Sequence, residues 1–310
     1  PPEYRGPGSR AGFRLIKPRM AAALRGRRGT ASVPGSNLPG MTTELDYIAH
    51  LAGESARFLE VVSQLPADAP VPTCPDWDAD DLLWHLGEVQ FFWGTVVREG
   101  VSGEEAEART PGRPRDRAGL ADFFTRASRE LVGVLAATPP QAPAWSWSTE
   151  QTAGFTRRRQ AHEALIHRVD AELTADDRTP LDPQLSADGV DEALRIMYAG
   201  VPDWGTFTPE PGRTLRITAS DTGHSWLVTL GRFTGTSPDS GKVYDEPDIE
   251  AVPLDAATAG SGGPAAAEVS GTAADLDCWL WHRPAQGVIE HSGDRNVLRG
   301  FETAIGPGIN

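Results

Sequence analysis

Between residues 43 and 175, apolar residues recur at helical spacing in four long stretches. The first runs over about 43–64 (Leu45, Ile48, Leu51, Ala52, Phe58, Val61, Val62). The second covers about 78–98 and opens on an Asp-rich turn. The third covers about 119–137 (Leu120, Phe123, Phe124, Leu131, Val134, Leu135), and the fourth about 151–174. Each is long enough to bury a stripe along its full length, and proline-rich connections separate them. Four such helices in a row have one economical packing, a four-helix bundle.

The period then changes. One further helix is expected at about 185–199. After it, "TLRITAS" (214–220) and "SWLVTLG" (225–231) alternate around the turn Asp221-Thr222-Gly223-His224, which predicts a β-hairpin. "DIEAVPL" (248–254) predicts a third strand. "TAADLDCWLWHR" (272–283) predicts a helix, "GVIEHSG" a short strand and "RNVLRGFETAI" a last helix. The Gly-Ser-rich stretches 234–242 and 259–264 are expected to be loops. The fold class is therefore α+β: a helical bundle over 41–176, then a smaller α+β domain over 177–310. No internal repeat is visible.

Residues 1–40 have a different character. They carry eight Lys/Arg against one acid and show no hydrophobic period. They are expected to be a disordered basic tail upstream of a natural start at Met41, with a transit peptide as the other reading. The whole chain has a net charge of −14, so residues 41–310 carry about −21. A body that acidic repels nucleic acid and anionic membrane. No run approaches the ~18 apolar residues of a membrane span. Small molecules are the expected partners, with the chain a monomer or homodimer. Cys74 and Cys278 are the only cysteines. Two do not make a disulfide framework at this size, and a reducing cytoplasm is expected.

The fourth stretch contains "AHEALIH" (161–167), close to the zinc-protease pattern H-E-x-x-H but one residue too long. His162 and His167 are five apart, about 140° around a helix, too far for one ion. Glu163 and His167 are four apart, about 40°, on one face. That face also holds Phe155, Ile166, Asp170 and Leu173. A Glu and a His among apolar neighbours need a partner. An ion would serve, and so would an arginine. A polar pair at a helix edge is the plainer reading of these two residues alone.

The second stretch supplies a third candidate. In "DDLLWHLGEVQFFW" (80–93), His85 lies on the apolar stripe with Leu82, Leu86, Val89, Phe92 and Trp93. A single histidine on such a face is commonly a hydrogen-bonded core residue. Facing Glu163 and His167 across a bundle, it completes a His₂Glu set with an open position, the ligand set of a catalytic zinc. Nickel or iron also suits these donors.

"VPTCPDWDADDLLWHLGEVQFFW" (71–93) together with "RRRQAHEALIHRVDAE" (157–172) resembles the mycothiol-dependent maleylpyruvate isomerase family, whose helical domain is of the DinB-like metal-binding kind. "GTAADLDCWLWHRP" (271–284), followed by "VIEHSGDRNVL", is similar to that family's C-terminal domain. The resemblance spans about 43–305. Asp76 stands where the family commonly has glycine. The resemblance implies metal ligands at His85, Glu163 and His167, and no such role for His162. It implies a divalent metal, expected to be zinc, and mycothiol as thiol cosubstrate.

It also implies a chemistry. A metal-bound thiol is a thiolate at neutral pH. Added to the double bond of maleylpyruvate, it would allow rotation and then leave, giving the trans product. The same thiolate could instead displace a leaving group and stay attached, as in an S-transferase. Substrate carboxylates would need cations, and the resemblance points to Arg283 in "WHRP", which could equally be a helix-end arginine facing the dipole. Arg157, Arg158 and Arg159 point three ways, so at most two could face a cleft. Two other classes remain open: a non-catalytic module binding a small ligand, and a metal-dependent hydrolase. Cys74 is read as a small buried hydrophobe in a structural turn. "DTGHS" (221–225) is not a triad and "GSGG" (260–263) is not a phosphate loop.

Overall fold

The computed structural model describes residues 45–238, 240–254 and 264–309. The basic tail and most of the Gly-Ser stretch at 259–264 lie outside the described residues.

The four expected helices are α1 (Tyr47–Val62), α2 (Ala79–Glu99), α4 (Arg117–Ala137) and α5 (Ala153–Ala175). A five-residue α3 (Gly103–Glu107), absent from the sequence reading, fills the connection after α2. Each long helix starts on a capping side chain. Asp46, Asp78, Asp116 and Thr152 accept from backbone N–H groups of the first turn that would otherwise lack partners. Two helices stop on a left-handed residue, Gly100 after α2 and Asp176 after α5. In the packing, α1 lies against α5, α2 against α4, and α2 also touches α5.

The next element is α6 (Pro183–Glu192), with Asp182 as cap and proline in its first turn. It widens into a π-helical segment, Ala193–Tyr198, where a single α-helix was expected. Among the described residues five strands follow: β1 (Gly205–Ala219), β2 (Ser225–Thr236), β3 (Val243–Leu254), β4 (Ala267–Gly271) and β5 (Glu290–Gly293). They form one mixed sheet in the order β3-β2-β1-β4-β5. The expected hairpin is β1–β2, longer than its alternating core because both strands continue past a register break between Pro209 and Thr214. Residues 234–236, expected to be loop, belong to β2. β4 pairs parallel with β1 and went unread, being only five residues after a Gly-Ser stretch. α7 (Ala273–Leu280) ends three residues before the expected limit, and His282 turns the chain at φ +60°. α8 (Arg295–Ile305) closes the described fold.

One apolar core runs through both parts. Val89, Phe92, Phe155 and Ile166 of the helices are continuous with Leu185, Val190 and Leu194, and onward with Leu215, Ile217, Trp226 and Leu276 of the sheet region. A second cluster (Phe58, Leu82, Leu86, Phe123, Phe124) fills the far side of the bundle. Helix α5 lies between the bundle and the C-terminal part, and nearly every residue from Phe155 to Glu172 is buried. Its composition is strongly polar, so its charges must be paired. Arg158 donates to Asp188 and Asp191, Arg159 to Glu192 and Glu163.

Candidate metal centre

His85 projects from α2, and Glu163 and His167 from successive turns of α5. The structure brings them together: one ligand atom from each lies within 4.8 Å of the others. His167 Nε2 is 3.2 Å from Glu163 Oε1, and His85 Nε2 is 3.6 Å from the same oxygen. All three side chains are buried.

Each is held differently. Glu163 Oε2 accepts from Arg159 Nη2 at 2.7 Å, which leaves Oε1 pointing to the two imidazoles. His167 Nδ1 donates to Asp170 Oδ2 at 3.0 Å. That bond orients the ring so that Nε2 faces the centre, where a metal ion would displace its proton and take the lone pair. Asp170 is gripped in turn by Arg283, with Nε to Oδ1 at 2.9 Å and Nη2 to Oδ2 at 2.8 Å. The Thr73 hydroxyl also donates to Oδ1, at 2.6 Å. His85 packs on Trp77, ring centres 4.6 Å apart.

His85 is the informative member. Neither of its ring nitrogens has a hydrogen-bond partner, although both are buried. Buried polar atoms are rarely left so, and an orphan calls for an explanation. A cation between His85, Glu163 and His167 would satisfy Nε2 and suits the N, N, O donors.

The electrostatics agree with this. Burial disfavours protonation of His85 and, with His167 beside it, pushes its pKa down, so the imidazole is neutral. Burial would raise Glu163, but the Arg159 charge and the bond with His167 hold its carboxyl well below the usual range. Burial opposes a charge on His167 too, yet Asp170 and Glu163 push it up to about 9. The carboxylates that attract a proton there attract any cation.

His162 lies elsewhere, as the five-residue spacing requires. Its Nε2 is 2.8 Å from Asp188 Oδ2, toward the C-terminal part. Of the three consecutive arginines, Arg157 donates to the carbonyls of Leu135 and Thr138, Arg158 to Asp188, and only Arg159 reaches the centre. Arg283 is buried rather than exposed at a helix end, and its fork is engaged by Asp170. It also borders an open cleft of about 400 Å³ with Trp279, His282 and Glu302. Cys74 is only partly buried, and burial with the Asp170 charge pushes its thiol up to about 11.

In the sequence, Asp170 stands on the ligand face without a task, Arg159 is one of three arginines of which at most two could face a cleft, and Thr73 carries no signal. The His167-x-x-Asp170 spacing was the available signal for the first, since residues three apart meet on a helix.

Beside Glu163 is a small cavity walled by Val89, Phe92, Trp93, Trp147 and Met197, with Arg159 at its edge. It has room for about one water molecule.

Two family models match the chain. The model described as the mycothiol maleylpyruvate isomerase N-terminal domain covers residues 48–172, and the corresponding C-terminal domain model covers 184–300. Two solved structures are similar in fold. A crystal structure of the mycothiol-dependent maleylpyruvate isomerase aligns with a TM-score of 0.50 at 13% identity, over 80% of this chain and 93% of that one. A histidine-to-alanine mutant aligns with a TM-score of 0.51 at 12% identity, over the same shares. No curated protein matches. Among the described residues, no helix is long and apolar enough to cross a membrane.

Proposed function

The chain belongs to the mycothiol-dependent maleylpyruvate isomerase family, and we propose that it is a metal-dependent enzyme that uses a low-molecular-weight thiol, mycothiol, to isomerise a maleylpyruvate-like activated alkene. The observation that carries this reading is the convergence of His85 Nε2 and His167 Nε2 on Glu163 Oε1, with neither ring nitrogen of His85 hydrogen-bonded.

His85, Glu163 and His167 would hold a divalent ion, zinc by donor type. Bound there, the ion would supply the positive charge that keeps a thiol ionised at neutral pH. The rest is done by the protein. Arg159 fixes the rotamer of Glu163. Asp170 holds His167 in the orientation that presents Nε2, and Arg283 with Thr73 holds Asp170. Trp77 backs His85, and the rings of Phe92, Trp93 and Trp147 keep bulk water from the Glu163 side. Dry walls strengthen every charge interaction inside.

In the reaction, the thiolate sulfur bonds to one alkene carbon and the π electron pair moves toward the adjacent carbonyl. The former double bond rotates. The carbon–sulfur bond then breaks, the trans alkene forms, and the thiolate is returned unchanged. Purified protein should contain about one equivalent of divalent metal. Its isomerase turnover should require mycothiol and stop on chelation. Metal-loaded protein whose turnover is unaffected by omitting the thiol would overturn the reading.

A further inference from the structure

Asp277 of α7 is 1% exposed, and neither of its carboxylate oxygens has a hydrogen-bond partner. It lies on α6 at Gly189, where the missing side chain makes room: a Cβ there would come within 2.6 Å of Oδ2. The backbone beneath offers no donor, because N–H groups inside a helix are already bonded four residues back. Glu192 and Asp188 of α6 face Asp277 with like charge, and the cation facing it is Arg159 of α5. On its own helix, burial pushes the Cys278 thiol up to about 12, so that neighbour is uncharged.

Arg159 is already committed. It donates to Glu163 and to Glu192, and the Trp281 ring lies 5.1 Å from its guanidinium. With a divalent ion at the centre included, Arg158, Arg159, Arg283 and the ion match the charges of Glu163, Asp170, Asp188, Asp191 and Glu192 one for one. Arg195 reaches Asp191 only from the partly exposed side, where water screens it. Asp277 is a further carboxylate with no charge in this network left to meet it. A carboxylate buried without donor or counter-charge takes up a proton instead. Of the two facing acids, Glu192 has the Arg159 hydrogen bond and Asp277 has none, so the proton falls to Asp277.

We propose that Asp277 is held as a protonated, uncharged acid at neutral pH, and that this makes it a positioning residue for the metal centre: it leaves Arg159 to Glu192 and Glu163, and so keeps Glu163 Oε1 turned toward His85 and His167. Ionised, it would compete with Glu163 for the same guanidinium. Burial and the Glu192 charge push its carboxyl well above the usual range, and Arg159 offsets only part of that. The purpose of this proton rests on the centre proposed above; its presence does not, since folding alone reads it.

Asparagine copies a protonated aspartic acid in shape and charge. Urea titrations of the full chain and of Asp277→Asn, both loaded with zinc, give the ratio of their folding constants, in which contributions common to both cancel. A carboxyl raised in the folded state adds stability that is fully present below its unfolded pKa of ~3.9 and is lost as pH rises through the folded value. From about pH 5 to 7 the wild-type chain should therefore lose ground to the variant by about ten-fold per pH unit. A ratio independent of pH would show Asp277 ionised and overturn the proposal. Asp277→Ser gives the same comparison should the asparagine variant not fold. Zinc affinity at neutral pH, read by chelator competition, should be the same in both chains. The roughly 10–100-fold loss that follows removal of an orienting partner would overturn the uncharged role. In a Glu192→Gln background the vacated Arg159 fork should draw Asp277 into ionisation and flatten the pH dependence. An unaltered slope there would break the link to Arg159 and overturn the positioning role. If neither chain takes up zinc, the centre itself fails, and the same ratio measured without metal still decides where the proton sits.

Discussion

Arg283 and Asp170, 113 residues apart in the chain, form a two-point ion pair in the protein interior. The arginine belongs to the C-terminal part and the aspartate to α5, one turn beyond His167. Bidentate pairs of this kind fix orientation as well as charge, and lysine cannot reproduce them. Arg283→Lys should therefore free Asp170 to rotate and weaken its hold on His167 Nδ1. Metal affinity should fall roughly 10–100-fold, as for loss of other partners that orient a ligand. Competition against a chelator measures it. A variant that keeps its metal affinity and loses turnover would instead place Arg283 against the substrate.

The two histidines of "AHEALIH" should part company on mutation. His167→Ala and His85→Ala each leave two donors, too few for a stable site, and both should be purified without metal. His162→Ala should retain metal, because its ring faces Asp188. It should lose about 1–3 kcal/mol of stability through the broken bond to a charged group. Elemental analysis and thermal melting of the three variants separate the outcomes, and loss of metal from His162→Ala alone would refute the proposed ligands.

Acid should unfold the protein in part through Asp188. Burial pushes its carboxyl up, but Arg158 and His162 more than reverse that and hold it well below the usual range. A group depressed in the folded state stabilises above its unfolded pKa of ~3.9 and loses that contribution as pH falls toward the folded value. Stability from this source should be flat between about pH 7 and 5 and drop below about pH 4. Asp188→Asn should be less stable at neutral pH, since Arg158 loses a charged partner, and should show a shallower acid slope. An unchanged slope in urea titrations across this range would count against Asp188 as the source.

Gly189 lies on α6 against Asp277, and a Cβ there would come within 2.6 Å of the carboxylate. Two effects compete in Gly189→Ala. Helix propensity favours alanine by about 1 kcal/mol. Overpacking costs about 1–3 kcal/mol, and Asp277 is buried. The net change should be destabilising by up to ~2 kcal/mol. Denaturant titration reads the sign directly, and a stabilised variant would show that the Asp277 side chain moves freely.

The helices were legible because each carries two concordant signals, an apolar stripe and a capping residue such as Asp78 or Thr152. The clustering of His85, Glu163 and His167 was legible because Glu163 and His167 share a face by spacing and His85 stands on an otherwise apolar stripe. What supports the trio was not. Arg283 finds Asp170 only through the docking of the C-terminal part, and no local period encodes a contact of that separation. The same docking pairs His162 with Asp188 of α6. β4 escaped because five residues hold too few alternations to stand out, and its place beside β1 is set by a parallel crossover. The π-helical segment escaped because one extra residue per turn leaves no compositional trace.

Because Asp170 is held by His167 on one side and by Arg283 on the other, occupancy of the centre and docking of the C-terminal part are thermodynamically linked. Linkage is reciprocal: whatever loosens the sheet-bearing part must weaken the metal, and by the same free energy a bound metal must tighten the docking. A chelator would thus act on the sheet as a mild denaturant, without touching it. Amide exchange in β1 and β4, which carry none of the proposed ligands, becomes a gauge of whether the centre is filled.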